Sequence, residues 1–109
     1  MLKITKGKIY TVDLKADGNL QGKKRPCIVL SVNGNISTII PLTSKIKRLD
    51  LYSHVIVQTT DNKGKIYDSM CLLEQIQTVN NSSIKSFYGN INNNGKELIT
   101  NRLSQILAF

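Results

Sequence analysis

Gly22-Lys23-Lys24-Arg25-Pro26-Cys27-Ile28-Val29-Leu30-Ser31-Val32 runs straight into Asn33-Gly34-Asn35 and then Ile36-Ser37-Thr38-Ile39-Ile40. Two apolar, β-branched runs are separated by Asn-Gly, a strong short-range signal for a tight hairpin. The reading is a strand over residues 26–32, a turn over 33–35, and an antiparallel strand over 36–40 closed by Pro41. A proline is admissible at the first position of a strand. It also biases Arg25 toward an extended backbone, which fixes the direction in which the guanidinium leaves the chain. Three cations therefore stand at the mouth of a buried strand.

Working outward, residues 8–14 alternate and read as an earlier strand. Residues 15–24 hold Asp17-Gly18-Asn19 and Gly22 without periodicity and read as a long loop. Residues 43–52 are polar and basic, another loop. A fourth strand is expected over 54–59 and a turn over 61–64. A fifth strand is expected over 69–79, bent or bulged in its middle, which would give Glu74 and Gln75 opposite facings. A turn with a short helical start follows over 80–83, then a short last strand over 86–91. Leu98, Ile99, Leu103, Ile106 and Leu107 fall near helical spacing, so residues 96–107 read as a helix, with Asn94 and Glu97 as a capping box. The expected fold is mainly β with a C-terminal helix: a small, strongly curved sheet or partly open barrel of five to seven strands. Residues 1–109 are expected to form one domain.

Fifteen Lys and Arg against seven Asp and Glu give a formal charge of +8. A small domain this basic is suited to polyanions, with a salt-sensitive affinity if the partner is nucleic acid. The cations fall in two blocks, Lys23-Lys24-Arg25 and Lys45 with Lys47 and Arg48, each beside a strand end. Cys27 and Cys71 lie in apolar runs with no CxxC partner, so zinc is not indicated and buried free thiols are expected. The first ten residues carry three lysines and no apolar signal core, and the expected location is the cytoplasm.

No metal motif, phosphate-cradling glycine loop or nucleotide fingerprint is present, and no cofactor or metal is called for. His54 is the only histidine, and a structural role suits it better than that of a general base. Arg25 offers a permanently charged planar fork that matches phosphate; its alternative role is an exposed charge. Thr43, just past the proline-terminated strand, can hydrogen-bond a phosphate or relay a proton, or simply stabilise a turn. Asp68-Ser69 marks either a turn or a site edge. Tyr52, Tyr67 and Phe87 are the candidates for base stacking.

The ordered set Gly7-x-Ile9-Tyr10-x-Val12-Asp13-Leu14, Gly22-x-x-Arg25-Pro26-x-x-Val29, Ile40-Pro41-Leu42-Thr43-Ser44 and Asp68-Ser69-x-x-Leu72-Leu73-Glu74-Gln75-Ile76-x-Thr78-Val79 resembles the MazF/PemK toxins of bacterial type II toxin–antitoxin systems. The resemblance spans nearly the whole chain. It implies an SH3-like, homodimeric endoribonuclease that cuts single-stranded RNA at short sequences, without metal or ribosome, through 2′-hydroxyl attack. It implies Arg25 and Thr43 as the catalytic pair. It also implies RNA contacts from Asn19 and Gln21 on the loop, Lys23 and Lys24 as electrostatic support, and Ser44, Lys45, Asp68, Ser69 and Gln75 in the groove. The implied partner is an antitoxin with an acidic disordered tail. Gln77 departs from the arginine many members carry there. Two other classes compete: a gyrase poison on the same fold, and a non-catalytic RNA-binding barrel.

Overall fold

The computed structural model describes residues 2–14 and 23–108, with Lys23 given by its backbone. Its elements run β1 (Lys8–Leu14), β2 (Lys23–Asn33), β3 (Ile36–Thr43), β4 (His54–Asp61), β5 (Ile66–Leu72), a 3₁₀ turn (Leu73–Gln75), β6 (Gln77–Asn80), a second 3₁₀ turn (Asn81–Ser83), β7 (Ile84–Ile91) and α1 (Asn93–Ile106). The fold is mainly β with one C-terminal helix, as the sequence predicts. Every strand pairing is antiparallel, and the ladder β2-β1-β7-β4-β5-β3 closes on itself through β2–β3, so the strands form a hydrogen-bonded ring with β6 added beside β3.

The predicted hairpin is present: Asn33 pairs with Ile36 and Cys27 with Pro41. Two expectations about it change. β2 begins at Lys23 rather than Pro26, because Leu14, Asp13 and Val12 of β1 pair with Lys23, Lys24 and Arg25. β3 does not stop at Pro41 but runs on to Thr43. On the flank away from β2, β3 pairs with β6 up to Ile39 and with β5 from Leu42. Pro41 thus falls in the interval between the two ladders, where a missing N–H removes no ladder bond on that flank.

The same interval explains why residues 69–79 are not one strand. Ile39 faces Gln77 and Leu42 faces Cys71, so three steps along β3 are spanned by six on the other segment. The excess is absorbed by the 3₁₀ turn, and Glu74 and Gln75 consequently have no strand alternation at all.

Two apolar clusters occupy opposite faces of β1–β3. Ile9, Ile28, Ile40 and Leu42 share one with Val55, Val57, Cys71 and Ile99 of the helix. Tyr10, Val12, Cys27, Val29 and Ile39 share the other with Ile84. The alternation of these strands supplies both sets. The helix starts at Asn93 rather than Lys96. Its cap is Asn92, whose side chain accepts the Gly95 N–H at 2.8 Å, and not the Asn94–Glu97 box. Gly95 sets this start: a Cβ there would lie 3.1 Å from both Asn92 Oδ1 and Val57 Cβ, so the helix can approach β4 closely only at a glycine. No described helix is long and apolar enough to cross a membrane.

Candidate functional site

Beyond the Cys27–Pro41 pair the hairpin strands open at their ends. Two residues further out on each strand stand Arg25 and Thr43, so continuing that register sets them opposite each other. Both line a cavity of about 410 Å³ together with Ser44, Lys45, Tyr67, Ser69 and Tyr88. Lys24 and Pro26 complete its β2 wall and Leu42 its β3 wall.

Arg25 is half-buried, and its Nε is buried with no hydrogen-bond partner among the described residues. A buried donor without an acceptor is unfavourable, and such exceptions call for an explanation. Thr43 Oγ1 accepts the Lys45 N–H at 3.1 Å. The hydroxyl therefore stabilises the turn into the next loop and keeps its own proton for a further acceptor. Ser69 is buried and accepts a bond from Thr59 Oγ1 at 3.2 Å. Ser44 and Lys45 are exposed at the rim.

The remaining predicted residues divide. Lys24 is exposed on the cavity wall, while of Lys23 only its place in β2 is described. Asn19 and Gln21 lie outside the described residues. Asp68 is exposed and lines a second cavity of about 480 Å³, which shares Ser44, Tyr67 and Tyr88 with the first. Gln75 lines neither; it sits on the 3₁₀ turn, where its carbonyl accepts the Gln77 side-chain amide at 3.2 Å.

Of the aromatic candidates only Tyr67 reaches the site. Phe87 packs edge to face on Tyr10 with ring centres 5.9 Å apart. Tyr52 lies under the Arg102 guanidinium, 4.1 Å from its ring centre. Tyr88, which sequence reasoning passed over, takes their place. The β1–β7 register steps from Ile9↔Gly89 to Tyr10↔Phe87, so Tyr88 is the extra residue of a β-bulge. Bulges re-aim side chains in this way. The Tyr88 hydroxyl is hydrogen-bonded to that of Tyr67. Burial, then the bond to Tyr88, holds the Tyr67 phenol above its ordinary pKa, so it stays protonated.

Other chemically suggestive groups are structural. His54 Nδ1 lies 3.2 and 3.0 Å from the carbonyl oxygens of Lys47 and Arg48, and Nε2 lies 3.0 Å from Glu74. It ties the β3–β4 loop to the 3₁₀ turn. Arg48 is committed to Asp50 through two bonds of 3.0 and 3.1 Å. Cys27 and Cys71 are free and buried, and burial pushes each thiol up to about 12, partly offset at Cys27 by the Arg25 charge.

The family model described as PemK-like, MazF-like toxin of type II toxin–antitoxin system matches residues 5–107. Among solved structures, an endoribonuclease in complex with its cognate antitoxin, from Mycobacterial species, matches with a TM-score of 0.75. The match covers 98% of this chain and 97% of that one at 15% identity, which makes it a likeness of fold. No curated protein matches.

Proposed function

The chain belongs to the PemK-like, MazF-like toxin family of type II toxin–antitoxin systems, and on that basis we propose that it is an endoribonuclease acting on single-stranded RNA with Arg25 and Thr43 as its catalytic pair. The observation that carries the reading is the meeting of these two residues in one cavity, with a buried, unpartnered guanidinium nitrogen on one of them. In the reaction the ribose 2′-oxygen attacks the adjacent phosphorus as its hydroxyl proton passes to water, the bond to the 5′-oxygen breaks, and that oxygen takes up a proton from water as it leaves. The products are a 2′,3′-cyclic phosphate and a 5′-hydroxyl. Arg25 stabilises the charge gathering on the non-bridging oxygens, usually the largest contribution to such catalysis. Thr43 donates a hydrogen bond from its hydroxyl to a phosphate oxygen. The need for a 2′-hydroxyl selects RNA over DNA. Lys24 and Lys45 add sequence-blind attraction, in line with the +8 charge.

The same charge supports an acidic antitoxin segment as the natural competitor for this surface. The fold neighbour was solved with its cognate antitoxin. A homodimer acting in the cytoplasm completes the proposal. The test is cleavage of an end-labelled single-stranded RNA by the antitoxin-free protein in EDTA, with the ends identified chemically. Arg25→Ala and Thr43→Ala are expected to abolish cleavage while circular dichroism stays native. Wild-type rates in both folded variants would refute the assignment.

A further inference from the structure

We propose that His54, which lines neither cavity, is a positioning residue for RNA binding: it holds the β3–β4 loop so that Ser44 and Lys45 stand at the cavity rim. The role rests on the RNA-cleaving reading above. β3 ends at Thr43 and β4 begins at His54, so residues 44–53 form the connection. Its first residues carry the rim: Ser44 lines both cavities and Lys45 the first.

The two halves of this loop are held differently. Residues 48–53 are closed on themselves and tied to the body of the protein. The Arg48 carbonyl accepts the Leu51 N–H at 3.0 Å, and the Leu51 carbonyl accepts the His54 N–H at 3.0 Å. The Tyr52 carbonyl accepts the Arg102 guanidinium at 2.7 Å, and the Ser53 carbonyl accepts the Leu73 N–H at 2.9 Å. Residues 44–47 have far less. The Lys45 N–H donates to Thr43 Oγ1 at 3.1 Å, which folds the chain back on its own strand end. Among the described residues, one hydrogen bond carries this half to the body of the protein: His54 Nδ1 to the Lys47 carbonyl, at 3.2 Å. The same nitrogen reaches the Arg48 carbonyl at 3.0 Å. Arg48 holds φ 53°, an unfavourable angle for a residue with a side chain, and such a backbone persists only where its surroundings hold it.

The near half of the loop therefore depends on the proton of Nδ1. Two acids face His54. Glu74 on the 3₁₀ turn lies 3.0 Å from Nε2, and Asp50 on the loop feels the His54 charge. The Arg48 guanidinium is turned onto Asp50, and Lys47 and Arg48 present their carbonyls to the ring. When the imidazolium loses a proton, the Glu74 carboxylate, the stronger acceptor, keeps the one on Nε2. Nδ1 is left with a lone pair toward two carbonyl oxygens. Deprotonation thus releases the loop and leaves the turn held. Burial lowers the His54 pKa, but the bond to Glu74 and those to the carbonyls outweigh it, so the net shift is upward from 6.5. The loop is fully held below that value and is released as pH rises through the folded pKa.

The experiment is a double-mutant cycle read by fluorescence anisotropy. The probe is a labelled single-stranded 2′-O-methyl RNA, which presents phosphates but has no 2′-hydroxyl to attack. Wild type, Lys45→Ala, His54→Ala and the double variant are titrated at about pH 6 and about pH 8.5. At the lower pH Lys45→Ala is expected to weaken binding roughly threefold or more, but less than about 1.5-fold when His54 is already alanine. At the higher pH the two backgrounds converge. Loss of the imidazolium charge alone would weaken binding equally with and without Lys45, so the coupling separates positioning from plain attraction. Glu74→Gln keeps His54 and removes the carboxylate that raises its pKa. It is expected to move the pH midpoint of binding downward, whether or not His54→Ala folds. An equal Lys45→Ala effect in both backgrounds at the lower pH, or a midpoint unmoved by Glu74→Gln, overturns the positioning role and leaves the nuclease reading to its cleavage test. A wild type that neither binds nor cleaves RNA overturns the nuclease reading and this role with it.

Discussion

Replacing His54 by alanine should destabilise the fold most in mildly acidic solution, the reverse of what a buried neutral histidine predicts. Both ring nitrogens face acceptors only: Nδ1 the Lys47 and Arg48 carbonyls, and Nε2 the Glu74 carboxylate. A neutral imidazole has one N–H, so one of these faces would lack a donor, whereas the imidazolium satisfies both. Burial alone would lower the His54 pKa, but the bond to Glu74 and then those to the carbonyls outweigh it, and the net shift is upward from 6.5. For Glu74, burial pushes up, but the bond to His54 together with those from the Glu74 backbone and Ser53 and the His54 charge outweighs it, so its net shift is downward from 4.5. A raised histidine contributes fully below its unfolded pKa and loses that contribution as pH rises through the folded value. A lowered carboxylate contributes above its unfolded pKa and loses that contribution as pH falls through its folded value. The latch is therefore strongest between about pH 4.5 and 6.5.

The magnitude follows from exposure. The His54 side chain is 8% exposed, but that of Glu74 is 41% exposed, so solvent screens the pair. A charge-assisted bond discounted for that screening contributes about 1 kcal/mol. The shared bond to the two carbonyls and the lost packing contribute roughly another 1–2 kcal/mol. At about 4 °C per kcal/mol for a domain of this size, Tm should fall by roughly 10 °C at pH 6. The difference should shrink by about 4 °C at pH 8.5, where the charged part is gone. Thermal unfolding by circular dichroism, run for both proteins across that range, makes the comparison. A difference that is constant with pH, or that grows as pH rises, refutes the reasoning.

Arg25→Lys keeps a positive charge but loses the planar fork; single-turnover cleavage should drop by about a hundredfold or more while filter binding of RNA changes far less. Gly89→Ala should destabilise by at least about 3 kcal/mol in urea titration. A Cβ there would sit 2.1 Å from the Thr60 carbonyl oxygen and 2.9 Å from Asp61 Cα, both backbone atoms that cannot step aside. Asn92→Ala should cost about 1 kcal/mol of stability through the lost helix cap, measurable as a Tm decrease of about 4 °C. Cys27 and Cys71, each with its thiol near 12, should resist alkylation at pH 8 in the native protein and react once guanidinium unfolds it.

Much of this was readable along the chain because it is local. The β1 alternation, the Asn-Gly hairpin and the spacing of the terminal helix each lie within one window of residues. The errors came where distant segments meet. Pro41 reads as a stop signal, yet it lies inside β3 because β5 and β6 leave a gap on that flank. Residues 69–79 read as one strand, yet the pairing partners on β3 force a 3₁₀ turn between two. Asn92 caps α1 instead of Asn94 because only Gly95 admits the close approach of Val57.

The candidate site divides the same way. By itself the sequence determined which chemistry is available: a proline-anchored arginine, a threonine at a strand end, a basic balance, and an ordered set of motifs that places the chain in its family. Only the tertiary structure decided which side chains share a cavity. Arg25 and Thr43 are eighteen residues apart and meet through the β2–β3 register. Tyr88 rather than Phe87 joins them because a single-residue bulge shifts β7 against β1. Gln75 is kept away by a turn, and His54 finds Glu74 across twenty residues. Propensity and alternation are properties of neighbours in the chain, whereas register and bulges come from packing between segments that the chain order does not bring together.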